Sequence, residues 1–227
     1  QLVDAHGNSL KINGKRYAVR TDVVIPENGT KDIEQSFSIS NPHLWSLENP
    51  HLYHLEIVLK QRGKVIDRYT TRFGVRTIHF DKDKGFFLNG KNIKMKGMCL
   101  HQDAGCLGVA VPDRSYERRL TILKEFGVNA IRCSHNPPSP EFLDYCDSIG
   151  FLVIDEAFDK WKSGYYEQFF DDCWQQDISD MIVRDRNHPS IILWSIGNEL
   201  AEATRKDNVG VERATICLLY TSDAADE

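Results

Sequence analysis

From about residue 93 onward the chain alternates short apolar strands with amphipathic helical stretches, and this alternation restricts the fold more than any other feature. IKMKGMCLH, VNAIRCSH, FLVIDEA and IILWSIGNEL read as strands. After the first, RSYERRLTILKEFG places Tyr116, Leu120, Leu123 and Phe126 on one helical face and stops at Gly127. After the second, Ser139 is suited to cap a helix with Pro140 at its first position. That helix carries Phe142, Leu143, Cys146 and Ile149 and ends at Gly150. After the third, Phe170, Trp174, Ile178 and Met181 share a face in a longer helix that ends near Asn187 and Pro189. Strands that are apolar at consecutive positions, with helices between them, predict a parallel sheet covered by helices.

Two parallel architectures compete. A doubly wound nucleotide-binding sheet carries a Gly-rich turn after a strand, and neither GxGxxG nor GxxxxGK[ST] occurs in the chain. A barrel explains the polar groups at every strand end: His101 and Asp103 after the first, Arg132 and His135 on the second, Asp155 and Glu156 on the third, Asn198 and Glu199 on the fourth. In a (β/α)8 barrel all such ends meet at one face, where the active site sits. A full barrel takes about 250 residues and eight units. The four units here predict its first half, over residues 80–216.

Upstream, to about Phe80, the grammar differs. YAVRTDVVI, KDIEQSFSIS, LYHLEIVLK and KVIDRYTTRFGVRTIHF read as β segments separated by turn chemistry such as PENGT and QRGK. This spacing predicts an all-β sandwich over residues 1–79, incomplete at its N-terminus because Gln1 is not an initiator residue. DKDKGFFLNGKN reads as a hairpin turning at Asn89-Gly90.

A net charge of −5, with basic residues scattered among acidic ones, gives no field for nucleic acid. No apolar run approaches the roughly 20 residues of a membrane-spanning helix. The six cysteines form no CxxC pair, so buried free thiols are expected rather than a zinc site or disulfide framework. The closing stretch CLLYTSDAADE, residues 217–227, reads as an in-frame translation of a sequencing adapter and is set apart from the fold.

FGVRTIHFDKDKGFFLNGKNIKMKGMCLHQD, NAIRCSHNPPSPEFLDYCDSIGFLVIDEAFDKW and RDRNHPSIILWSIGNE resemble glycoside hydrolase family 2, the group of β-galactosidases, β-glucuronidases and β-mannosidases, over residues 73–200. The resemblance implies an immunoglobulin-like sandwich followed by a (β/α)8 TIM barrel. It also implies a retaining exo-β-glycosidase, of which terminal β-D-galactosides are the first substrate class. β-Glucuronides, β-mannosides or a non-catalytic carbohydrate-binding relative are the alternatives. By resemblance Glu199 is the general acid/base and Asn198 the amide that meets the sugar 2-hydroxyl. His101, Arg132 and His135 surround the sugar, Asp155 and Glu156 mark the third strand tip, and Asp103 and Trp161 line the pocket. Glu199 is expected to be held protonated near neutral pH by apolar walls and an anionic neighbour.

Two departures stand out. The family's nucleophilic glutamate lies in the latter half of the barrel, and neither Glu202 nor Glu212 has a strand-end context, so the chain alone is expected to be an inactive fragment. Some family members also bind magnesium through a glutamate and a histidine shortly after DEA, where this chain has FDKWK. Lys160 and Lys162 are no substitute as ligands, so no metal or other cofactor is expected there. A homo-oligomeric parent is compatible with this reading, and localisation is open.

Singly, these residues have blander readings. Asn-Glu after a strand is commonly a cap, Arg132 and Asp155 a structural ion pair, His188-Pro189 a structural turn, and Trp45 and Trp174 core residues.

Overall fold

The computed structural model describes residues 1–161 and 164–200. Lys162, Glu202, Glu212 and the closing stretch from Cys217 lie outside the described residues. In chain order the elements begin with β1 (Leu2–Val3), β2 (Lys11–Ile12), β3 (Lys15–Arg16), β4 (Tyr53–Gln61) and β5 (Lys64–Phe73). There follow β6 (Ile78–Asp81), β7 (Gly85–Leu88), β8 (Lys91–Asn92), β9 (Gly97–His101) and α1 (Asp113–Glu125). The chain continues through β10 (Ala130–Ser134), α2 (Pro140–Ile149), β11 (Leu152–Glu156), α3 (Glu167–Asp185) and β12 (Ile191–Ser195).

The C-terminal part is a parallel sheet in the order β12-β11-β10-β9, in which every strand pairs with its predecessor in sequence. This is the arrangement of four successive staves of a barrel. Its faces follow the period-two alternation of strands. Ile131, Cys133 and Val153 pack with Tyr116, Leu120, Phe142, Leu143 and Cys146 of the covering helices, whereas Ala130, Leu152 and Ile192 turn the other way.

The helix boundaries have identifiable causes. The Ser139 side chain accepts from the backbone N–H of Phe142, Pro140 follows it, and Gly150 closes α2 in the left-handed conformation at φ +85°. Phe170, Trp174, Ile178 and Met181 are all buried along α3. In α1, Tyr116 and Leu120 are buried, but Phe126 falls beyond the last helical turn and is 84 % exposed.

The second inward cluster forms a plug. Trp45, fully buried, donates its indole N–H to the Asp147 carbonyl at 2.8 Å and packs with Leu47, Phe86 and Leu88 against Ala130, Leu152 and Ile192. Phe86 and Leu88 come from the hairpin β7-β8, whose turn is Asn89-Gly90, with φ +51° and +76°. Asn89 in turn donates to the Trp45 carbonyl at 2.9 Å. The plug therefore closes the end of the sheet opposite the polar strand tips.

The N-terminal region is sparser than expected. β1, β4 and β5 form one antiparallel sheet, with β2-β3 as a separate hairpin. The segments YAVRTDVVI and KDIEQSFSIS form no strands: a strand needs a neighbour for its N–H and C=O groups, and these residues have no ladder partner among the described residues. Only Tyr17, Phe37 and Ile39 from this stretch join the small core of Leu2, Ile12 and Tyr53. The long β segment expected over 64–80 is also interrupted after Phe73. There Gly74 lies so close to Pro189 and Trp45 that a Cβ would come within 2.7 Å of the proline ring. Arg76 is half-buried and donates to the carbonyls of Pro189 and Ile191, which anchors the linker to the start of β12. Its desolvation lowers the guanidinium pKa to about 10.

Gly150 is fixed twice, by its positive φ and by the Leu47 carbonyl oxygen 2.5 Å from where a Cβ would stand. Gly150→Ala is expected to destabilise the fold by at least about 2 kcal/mol, combining left-handed strain with a backbone clash at the plug. Chemical denaturation of the two proteins side by side checks this.

Candidate active site

Glu156 is the last residue of β11 and has no exposed surface. Charge without solvent needs donors on every side, and the neighbouring strands supply them. Arg132 of β10 donates to Glu156 Oε2 through Nε at 3.0 Å and Nη2 at 2.6 Å. Ser195, its register partner on β12, donates to the same oxygen at 2.7 Å, and His135 Nδ1 lies 2.7 Å from Oε1. The Glu156 carboxylate raises the Arg132 pKa further above its ordinary value. Arg132 Nη2 also donates to Asn198 Oδ1 at 3.0 Å, and the His101 ring stands edge-on to His135 with centroids 5.2 Å apart. Arg132, His135, Glu156, Asn198 and, through ring contact, His101 thus converge at one end of the sheet.

Asn198 is held from its other side by Asp159. Its backbone N–H donates to the Asp159 carbonyl, and its side-chain amide N–H to Asp159 Oδ1, both at 3.0 Å. Glu199 follows in the left-handed region at φ +48°. Its carboxylate is 77 % exposed and accepts from Lys160 Nζ at 2.8 Å.

The structure corrects several expectations. Asp155 does not face this site: alternation along β11 turns it to the helix side, where it is fully buried and lies near Asp185 rather than pairing with Arg132. Glu156 does face the strand-tip cluster, but as its buried anchor, with no surface to offer a sugar. Trp161 is only 2 % exposed; it stacks on Phe170 at 5.5 Å and donates to the Ile196 carbonyl at 2.8 Å, so it supports the β12 tip from below rather than lining the pocket. Asp103 is exposed in the loop after β9, its carbonyl accepting from Arg119 at 2.6 Å, apart from the cluster. Glu199 is not pushed up: Lys160 is the largest influence on it and lowers its pKa. Desolvation and the Asp159 carboxylate push in the expected direction, but Lys160 outweighs them. Trp45, Trp174 and the His188-Asp147 pair, at 2.6 Å, lie in the packed interior.

Sequence reasoning missed Ser195 and the role of Asp159. Ser195 was recoverable from strand parity, since it stands opposite Glu156 in the register. Asp159 belongs to the quoted DEAFDKW stretch, but a loop contact to Asn198 has no sequence signature.

Beside the cluster, a cavity of about 630 Å³ opens between His135, Asp159, Lys160, Tyr165 and the α3 residues Asp177 and Arg184.

The model for the TIM barrel domain of glycosyl hydrolases family 2 matches residues 81–215, and that for glycosyl hydrolases family 2 matches residues 3–76. The chain belongs to glycosyl hydrolase family 2. The β-galactosidase BoGH2A of Bacteroides ovatus is 47 % identical over 193 residues, 82 % of this chain and 23 % of that protein. A putative β-glucuronidase of Formosa agariphila is 43 % identical over 84 % of this chain and 18 % of its own length. Among solved structures, a family 2 member from Bacteroides cellulosilyticus matches with a TM-score of 0.72 at 48 % identity, covering 76 % of this chain and 23 % of that one. A β-glycosidase from Bacteroides vulgatus matches with a TM-score of 0.74 at 43 % identity, covering 81 % and 24 %. The chain therefore spans about a quarter or less of the length of these relatives. The partial parallel sheet is accordingly part of a TIM barrel, preceded by residues of the family's sandwich domain. No described helix is long and apolar enough to cross a membrane.

Asp155 supplies a test of the site's underside. Burial first, and the neighbouring Asp185 carboxylate second, push its pKa up to about 8. A carboxyl with a raised folded pKa favours the folded state when protonated, and that contribution is lost as pH rises from the unfolded value of 3.8 towards 8. Asp155→Asn, neutral throughout, is expected to gain stability over the parent across this window. The gain should be smallest near pH 4 and reach at least about 1 kcal/mol, or about 2–4 °C in Tm, at pH 8. Thermal unfolding of both proteins at each pH reads the difference, and a pH-independent gap would show Asp155 ionised in the fold.

Proposed function

We propose that this chain carries the acid/base half of a retaining exo-β-glycosidase active site, acting on terminal β-linked sugars. The observation that carries the reading is the Arg132-Glu156-His135-Asn198 network. It draws three strand tips into one polar centre and sets Glu199 immediately after the oriented amide. In this reading Glu199 protonates the departing glycosidic oxygen and then deprotonates the incoming water. Asn198 meets the sugar 2-hydroxyl, a bond that strengthens as oxocarbenium character develops. His101 and His135 offer ring nitrogens to other sugar hydroxyls, and Arg132 holds Asn198 in register. The second carboxyl, the nucleophile about 5–5.5 Å from Glu199 in retaining enzymes, belongs to the later barrel strands of a complete enzyme. The segment alone then lacks turnover.

β-D-Galactosides are the first substrate class, supported by the 47 % identity to a protein named β-galactosidase. β-Glucuronides are the second reading, supported by relatives named for that activity at 43 % and 37 % identity. Initial rates on paired aryl β-galactosides and β-glucuronides separate the two.

In the complete enzyme, Glu199→Gln is expected to lower kcat/KM for sugar or alkyl leaving groups by about 10²–10⁴. Glycosyl transfer from dinitrophenyl glycosides, which need no proton, should stay within about tenfold in the pre-steady-state burst. Equal losses on both classes would exclude Glu199 as the acid.

A further inference from the structure

The loop after β11 contributes two adjacent residues, Asp159 and Lys160, that between them hold Asn198 and Glu199. Asp159 takes the backbone and side-chain N–H groups of Asn198. Lys160 Nζ donates to Glu199 Oε2 at 2.8 Å and to Asp159 Oδ1 at 3.1 Å, and lies 3.5 Å from the Asn198 carbonyl. The three N–H groups of one ammonium thus meet three oxygens of this loop and the β12 tip. Asp159 neutralises the ammonium while accepting the amide.

This arrangement does not fit the magnesium site of some family members. A divalent cation needs oxygen or nitrogen lone pairs, an ammonium has none to give, and a fixed positive charge 2.8 Å from Glu199 repels a second cation from that carboxylate. We propose that Asp159 and Lys160 form a metal-free clamp that positions Asn198 and Glu199, with the Lys160 ammonium supplying the fixed positive charge beside the acid/base carboxylate. Lys160 and Asp159 are positioning residues, and the inference rests on the glycosidase reading of Glu199. The clamp is geometrically determinate because Asn198 has its carbonyl end fixed by Arg132 and its amide end by Asp159. The carboxamide cannot flip without losing both bonds. Among the described residues, the titratable groups that act on Glu199 are Lys160 and Asp159 from this loop and His135 from the β10 tip. Lys160 is the largest influence and outweighs the opposing Asp159 carboxylate.

The test uses the complete enzyme and three measurements. Dialysis against EDTA is expected to leave kcat/KM unchanged within about twofold, with no gain on adding magnesium. Lys160→Met is expected to lower kcat by at least about tenfold with KM changed less than about threefold, and Lys160→Arg to recover most of the loss. Asp159→Ala is expected to cost at least about tenfold on the parent glycoside but less than about twofold on its 2-deoxy analogue, because only the former uses the Asn198 amide. This selective loss is one that general unfolding does not produce, so it decides the matter if Lys160→Met does not fold. Inactivation by EDTA reversed by magnesium, wild-type kcat in Lys160→Met, or equal Asp159→Ala losses on both substrates would each overturn the clamp. Glu199→Gln run alongside separates the two ideas. If its leaving-group dependence is present while EDTA inactivates, the clamp fails and the glycosidase reading stands; if that dependence is absent, the reading of Glu199 itself fails.

Discussion

The architecture of the strand tips depends on how one buried charge is satisfied. Glu156 has no solvent, so its carboxylate must find donors on adjacent strands, and it takes them from Arg132, His135 and Ser195. Removing one partner from a buried, hydrogen-bonded ion pair typically costs about 3–5 kcal/mol, because the remaining charge is left uncompensated. The same donors are then no longer free to adopt other rotamers: Arg132 presents its second Nη2 N–H to Asn198, and His135 meets the His101 ring in an edge-to-face contact. Electrostatic necessity at the buried carboxylate thus becomes geometry at the exposed surface. A site built this way is rigid on the side of the sheet, and Glu199, the exposed carboxylate directly after the amide, is held from the loop by Lys160.

The opposite end of the sheet is organised by apolar contact instead. Trp45, the β7-β8 hairpin and the inward residues Ala130, Leu152 and Ile192 form the closing plug. Arg76 and Gly74 bind the connecting segment to the start of β12. Residues far upstream of the barrel therefore help fix the strand whose far end carries Asn198 and Glu199. The two ends of β12 are restrained by different physics, desolvated guanidinium and indole at one and a polar network at the other.

The parallel sheet was legible because its signal is redundant. Buried strands, amphipathic helices, a Ser-Pro start and a Gly stop at α2 all agree, and each is local. Upstream, LYHLEIVLK and KVIDRYTTRF were legible as β4 and β5, but YAVRTDVVI and KDIEQSFSIS form no strands, because a β-propensity run says only that a segment suits a pleated surface, while pairing depends on a neighbour that is distant in sequence. Within the site, strand position identified the right strand ends but not the right faces. Asp155 and Glu156 are consecutive, so one must turn to the helices and the other to the tip cluster, and the motif alone does not say which. Trp161 was misread for a related reason: an aromatic near a strand tip is as well suited to supporting the tip as to lining a pocket. The Asp159 contact was invisible because it is made through a loop whose path depends on tertiary packing.

The Trp45 indole finds its acceptor 102 residues downstream. At a ribosomal rate of about 5–20 residues per second, roughly 5–20 s pass between synthesis of the tryptophan and emergence of its partner. Throughout that interval the indole N–H has no acceptor, and the ring has only its earlier plug partners Leu47, Phe86 and Leu88 to meet. The nascent segment around residues 42–52 must then wait, open to chaperones or to neighbouring chains on the same polysome, until α2 has left the exit tunnel.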